Sequence, residues 1–457
     1  MIRVLLTDRS WPMMIAVARI FANSVRESNI HVIFLSAKEP SEVNENFEVV
    51  NLFDIPQQRT LKDLQSCYEF SLQRAIVPER SFYDFSSFRR SQCYSRVEGV
   101  HIDKWVGLYA NAFDYLLREK VDLVLENSPD CFLPTLCGQI AGHYGKPFRM
   151  IYILYWWSDG AFFFDRLDWT STEIDKKYSF YYNKPELLDH VKLDKLFLAK
   201  KTYFQIANHS FTMRLRQLLI RQSSYEPLSL RNWFVRRISK VRSTILIHTL
   251  VPRLLEPFDE PYVLYPLHVS PEASLLGTAP ELADQFGFIK NISMNLPYGV
   301  KLYIKEHPHA SLGDGLDYDF YRRVCTLPNV RLFYAKASLD KLLEGSGFLA
   351  VIGISGTVCL DAALKRKPVF IFGRPPFFAA DCFLKPANFE DFCKQLIAIQ
   401  RGNFIFNERA LYAILQALDA SVTRTDVDLS KCTDQLEMAT SFTRIMRNFV
   451  ESRSWLT

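Results

Sequence analysis

At 457 residues the chain exceeds one ordinary hydrophobic core and implies two domains. A composition that is 48% hydrophobic and 14% aromatic, with a net charge of only +5, excludes a disordered chain and a uniformly basic one. The nine cysteines are scattered and none forms a Cys-x-x-Cys pair, which argues against a zinc cluster or a disulfide framework and for a reducing, cytoplasmic setting.

The start of the chain has no leader pattern, and no apolar run approaches the ~18 residues that span a bilayer. Residues 2–6 read as a strand, and 11–25 carry apolar side chains at helical spacing. Strands are expected at 31–35 and 49–53, and a helix at 61–76. Residues 82–96 are aromatic, basic and irregular, and suit a loop over a cleft. A long amphipathic helix covers 102–119, and a strand at 123–125 ends on Glu126-Asn127. A helix at 133–144 is stopped by Gly145-Lys146-Pro147, and a strand follows at 148–154. This βα alternation predicts a doubly wound parallel sheet.

A loop at that strand's carboxyl end carries Asp159 and Asp165 among aromatic residues, and helical stretches are expected over 185–222. Glu126, Asp159 and Asp165 are the strand-end acids of this half. One of them is expected to act as a general base or a nucleophile. His143, late in a helix, reads as structural.

Residues 211–253 hold nine Arg and Lys against one acid, Glu226. Among them Arg236, Arg237, Lys240 and Arg242 interleave with Trp233, Phe234 and Ile238. The pattern fits either docking on an anionic membrane surface or glycan, or an ordinary basic helix beside a linker. No nucleic-acid motif accompanies it. Pro257 and Pro261 bracket a hinge. The expected domains are 1–255, with the basic segment 211–253, then 262–432, and a helix at 434–457 that returns to the first domain.

The second βα series starts with a strand at 262–267. The loop after it holds His268, Glu272 and Ser274. A helix at 281–296 closes on Pro297-Tyr298-Gly299. A strand at 302–304 runs into Lys305-Glu306-His307-Pro308, where the proline stops it. A strand at 348–352 feeds Gly353-Ile354-Ser355-Gly356-Thr357 and a helix at 358–365. Ser355 or Thr357 is the natural N-cap, and Asp361 lies one turn further on. In open α/β sheets ligands lie beyond the carboxyl ends of strands. His307, Lys305 and the 355–357 turn therefore point to a phosphate-bearing ligand. No P-loop and no Gly-x-Gly-x-x-Gly is present there, and no acidic pair stands out as a metal site.

Five segments resemble the bacterial capsule polysaccharide biosynthesis proteins, a family that includes Kdo transferases. They are residues 265–274, 296–300, Lys305-Glu306-His307-Pro308, Pro328-Asn329-Val330 and the Gly353–Thr357 turn. The His-Pro and Ser/Thr signals are also similar to those of sialyltransferases that use CMP-sugars. The resemblance covers about 262–374. It implies a GT-B fold, two Rossmann-like domains facing a central cleft. It also implies that His307 and Pro308 lie at the nucleotide, and that Ser355, Gly356 and Thr357 hold the phosphate. The family usually carries Gln at the position of His268 and Glu at that of Asp361. The expected activity is transfer of Kdo or a related nonulosonic acid from a CMP-sugar to a glycan or glycolipid acceptor, with no cofactor and no metal. The alternatives are a UDP-sugar transferase or epimerase, and a non-catalytic partner in capsule assembly or export.

Overall fold

The computed structural model describes residues 1–7, 14–68, 70–71, 96–127, 132–152, 159–199, 238, 242, 245–247, 249–268, 273–307, 316–425, 435–453 and 455. The expected loop over 82–96 lies outside them except for Arg96, which opens the helix Arg96–Glu119, and most of the basic segment lies outside them as well.

Two α/β units are present. The first sheet contains β1 (Ile2–Thr7), β2 (Ile30–Ser36), β3 (Glu42–Val43), β4 (Phe47–Asn51), β5 (Leu123–Asn127), β6 (Phe148–Tyr152) and β7 (Gly160–Phe164). The second contains β8 (Tyr262–Pro266), β9 (Lys301–Lys305), β10 (Val330–Phe333), β11 (Phe348–Gly353) and β12 (Val369–Ile371). A short β13 (Thr423–Arg424) joins the first sheet, giving the order β13-β7-β6-β5-β1-β2-β4-β3. The second order is β10-β9-β8-β11-β12, parallel throughout. Strands covered on both faces read as continuous apolar runs, as Val4, Leu5 and Leu6 do in β1 and Tyr262 to Tyr265 do in β8. The arrangement is of the GT-B type: two Rossmann-like units and a C-terminal return to the first.

One stretch expected as loop is a strand. β7 runs antiparallel to β6, with Tyr152 opposite Phe162 and Met150 opposite Phe164. All five of its residues are buried. Phe162 and Phe164 enter one core and Phe163 the other, where its ring stacks on Phe449 at 3.7 Å. With both faces covered, the apolar-polar alternation that marks a strand is missing.

The return to the first unit begins before the final helix. Helix Glu408–Ala420 lies against helices Thr172–Asn183 and His190–Ala199, where Tyr412 donates to Asp194 at 2.9 Å. β13 then pairs with β7. Helix Gln435–Ser452 buries Phe442, Ile445, Met446 and Phe449 against Val17 and Phe21 of the first unit.

A seam joins the units elsewhere. Trp169 is 2% exposed, has a φ of 64° and lies tilted against Tyr152, with ring centres 4.4 Å apart. A Cβ at Gly277 of helix Ala273–Thr278 would lie 2.6 Å from the indole Nε1 and 3.0 Å from Cε2. Alanine at 277 gains about 1 kcal/mol of helix propensity. Overpacking against a rigid ring costs about 1–3 kcal/mol, so the clash should win. Gly277→Ala is expected to lower Tm by a few degrees in calorimetry, and Trp169→Leu in the same chain to restore part of it. An unchanged Tm for Gly277→Ala would show that the seam yields freely.

Candidate functional site

The second sheet brings three candidate residues to one edge. Leu264 of β8 lies opposite Val351 of β11, and Tyr265 lies opposite Ile304 of β9. The β8–β9 pairing continues one residue further, where the Leu267 N–H donates to the Lys305 carbonyl at 2.9 Å. Carried past the strand ends, these registers put Ser355, His268 and His307 at one level. They follow the ends of adjacent strands, which are spaced ~4.8 Å apart.

His268 is buried, and its imidazole lies over the 355–357 turn. A Cβ at Gly356 would sit 3.7 Å from Cε1 and 3.9 Å from Nε2. Neither hydroxyl of the turn acts as the expected cap. Thr357 has helical backbone and no side-chain cap bond to helix Val358–Leu364. The Ser355 Oγ is buried without a hydrogen-bond partner. Such a hydroxyl costs about 1–3 kcal/mol, which a ligand oxygen at that point would recover. Asp361 is half-buried on the same helix.

Lys305 and Glu306 are turned inward. The Lys305 Nζ donates to the carbonyls of Ala335 at 2.9 Å and Glu306 at 3.3 Å. Burial pushes its pKa down to about 8, against the pull of the Glu306 carboxylate. Glu306 is 2% exposed, accepts the Ala335 N–H at 3.0 Å and pairs with Arg253 at 3.4 Å. The Arg253 guanidinium also lies 4.4 Å from the Tyr334 ring centre. Arg253, grouped with the basic segment by composition, is thus an interior cation. Lys305 and Glu306 buttress the strand end, whereas His307 is only partly buried. Pro308 and Glu272 lie outside the described residues, as does the side chain of Ser274.

The first sheet separates the three strand-end acids. Glu126 is 1% exposed at the carboxyl end of β5 and accepts the Thr7 hydroxyl at 2.9 Å. Asp159 precedes β7 at the same edge and pairs with Arg424. Asp165 follows β7 and leaves at the opposite edge, roughly 20 Å from Asp159 at ~3.3 Å per residue. There it accepts the Thr172 N–H at 2.9 Å at the start of a helix, and lines an open depression with Lys146 and Arg149. The geometry brings Glu126 and Asp159 to one edge and leaves Asp165 apart from them. His143 packs edge-on against Tyr68 and Tyr144.

Arg236, Arg237 and Lys240 lie outside the described residues, and Arg242 is exposed. Ile238, Ile245 and Leu250 beside them are exposed as well. Among the described residues no helix is long and apolar enough to cross a membrane, and no cluster of three His, Cys, Asp or Glu could hold a metal ion.

Residues 198–383 match the family model described as capsule polysaccharide biosynthesis protein. No curated protein matches the chain. Among solved structures it is similar to the β-Kdo 2,4 transferase of KpsC from Thermosulfurimonas dismutans, with 15% identity over 65% of this chain and 80% of that one and a TM-score of 0.31. It is also similar to the β-Kdo 2,7 transferase of the same protein, with 13% identity, coverages of 84% and 98% and a TM-score of 0.33. A third is HepE of Anabaena, solved with UDP and glucose, with 11% identity, coverages of 99% and 100% and a TM-score of 0.25.

The lowered Lys305 pKa has a consequence for stability. The native side chain loses its proton near 8 and the unfolded one near 10.5, so between these values unfolding takes up a proton. The free energy of unfolding therefore gains from Lys305 as pH rises through that window. Urea unfolding from pH 7.5 to 10 is expected to show wild type gaining on Lys305→Met. Parallel profiles would contradict the buried, partly deprotonated ammonium.

Proposed function

From the family segment at 198–383, that of capsule polysaccharide biosynthesis proteins, we propose that this protein is a glycosyltransferase of bacterial surface polysaccharide assembly. It moves Kdo or a related nonulosonic acid from a CMP-sugar to a glycan or glycolipid acceptor. The observation that carries the reading is the row of Ser355, His268 and His307 at one sheet edge, inside that segment. A buried hydroxyl and two imidazoles suit the single phosphate of a CMP donor.

In the transfer, the bond between the anomeric carbon and the phosphate oxygen breaks, and the acceptor oxygen forms the new bond. The departing phosphate keeps the electron pair, and hydrogen bonds from His307 and Ser355 stabilise its charge. The acceptor proton goes to a carboxylate of the first unit. Glu126 and Asp159 share the edge of that unit's sheet where ligands of such folds bind. No divalent ion is needed for one phosphate, and activity in excess EDTA tests this.

Thermal shift with CMP, UDP, GDP and ADP tests the donor class, since a ligand of the native state raises Tm. CMP alone is expected to stabilise the protein, and His307→Ala to weaken CMP binding by about tenfold or more, ~1.4 kcal/mol. A shift with UDP alone would favour a UDP-sugar enzyme. No shift with any of the four would favour a glycan-binding partner in capsule assembly.

The basic segment holds the enzyme at the inner face of the membrane, beside lipid-linked acceptors. Exposed Ile238, Ile245 and Leu250 flanking Arg242 support this. A basic residue near an anionic surface contributes about 1 kcal/mol. Neutralising Arg236, Arg237, Lys240 and Arg242 together is expected to weaken binding to phosphatidylglycerol vesicles by up to about three orders of magnitude. Unchanged vesicle binding would refute the anchor.

A further inference from the structure

The backbone of His268 lies beyond the end of β8, where the sheet no longer supplies partners. Its N–H donates to the Gln285 Oε1 at 3.0 Å, and its carbonyl accepts from the Gln285 Nε2 at 3.1 Å. The Tyr265 hydroxyl donates to the same Oε1 at 3.2 Å. Gln285 is 1% exposed and opens helix Gln285–Met294, whose N-cap is Asp284. One primary amide thus replaces a missing neighbour strand.

The amide has only one orientation that works. Flipped, its NH₂ would face two donors and its oxygen a carbonyl. Asparagine is one methylene too short to keep both bonds. Glutamate keeps the acceptor but, ionised, puts a second oxygen against the His268 carbonyl. The chemistry selects glutamine, and its buried amide lies next to the residue whose imidazole covers Gly356 and the Ser355 turn.

We infer that Gln285 is a positioning residue, which holds the His268 imidazole over the 355–357 turn and so sets the phosphate subsite. The ligand half of this inference rests on the nucleotide-sugar reading above. The positional half stands on the three hydrogen bonds. Loss of the clamp frees the His268 backbone to turn, and the imidazole leaves the row.

Two readouts separate the halves. Without ligand, the His268 ring proton resonance, assigned by its absence in His268→Ala, is compared between wild type and Gln285→Met. Its chemical shift is expected to move, because the ring leaves its place over Gly356. With CMP as probe, calorimetric titration is expected to show about tenfold weaker binding, ~1.4 kcal/mol, with no further loss on adding His268→Ala. Gln285→Glu adds a test by rescue. Its carboxylic acid, once protonated, can donate to the His268 carbonyl, so CMP affinity relative to wild type should recover as pH falls.

A Gln285→Met protein with lowered Tm but wild-type His268 resonance and CMP affinity would overturn the inference. A moved resonance in a protein whose wild type binds none of the four nucleotides would keep the positioning role and defeat the nucleotide reading. If Gln285→Met does not fold, Tyr265→Phe, which deletes one of the three bonds, is read in the same way with a smaller shift. An unchanged resonance and affinity there would likewise overturn it.

Discussion

A carboxylate withdrawn from water needs a cation and donors, and leaving it without them costs about 3–5 kcal/mol. Glu306 meets this need with Arg253 and the Ala335 amide, and the positions of its neighbours follow. Arg253 draws the end of the linker onto the sheet. The next residue, Leu254, bridges Phe333, donating to the Leu332 carbonyl at 2.8 Å and accepting the Tyr334 N–H at 2.9 Å. The β10 edge is thereby covered, and the turn out of β9 is fixed from both sides. His307 is the next residue along and takes its place from Glu306.

The second sheet then aligns the rest. β8 is its central strand, and Tyr262 stacks on Tyr303 of β9 at 3.9 Å, with its hydroxyl donating to the Leu342 carbonyl at 2.7 Å. A one-residue slip would turn every buried side chain of such a strand to the wrong face. That constraint holds His268, Ser355 and His307 level, although they lie 39 and 48 positions apart in the numbering, from 268 to 307 and from 307 to 355. Register, rather than sequence proximity, assembles the row.

Much of this was legible beforehand because parallel strands are apolar runs punctuated by Gly, Pro and charges. The strand before Lys305-Glu306-His307-Pro308 and the one before Gly353 were readable on that basis, as was the turn between the second strand and its helix. The inward turn of Lys305 and Glu306 was not, since a charge at a strand end reads as solvated unless its partner is known. Arg253, that partner, was hidden by the eight other cations of its segment. β7 was missed because both of its faces are covered. With it went the antiparallel reversal that carries Asp165 away from Glu126. Gln285 gave no signal at all: a polar residue after a helix cap is ordinary, and only its two bonds to the His268 backbone make it significant.

The seam between the units raises a question of magnitude. Trp169 combines left-handed backbone with a buried indole N–H that has no hydrogen-bond partner. Those two features cost about 1–3 kcal/mol each. Burying a tryptophan removes roughly 200 Å² from water, which at ~25 cal/mol per Å² contributes about 5 kcal/mol. The gain and the cost are therefore of similar size. The contacts around it add to the same side of the balance: the Tyr152 ring, Asp168 paired with Arg374 at 3.3 Å, and the Tyr178 hydroxyl accepting the Asp381 N–H at 3.1 Å. Arg374 and Asp381 follow β12, and Gly277 follows the His268 loop. The seam thus attaches to the two segments that flank the row. The contacts that join the units, closely matched in gain and cost, thus hold the chain on either side of the row.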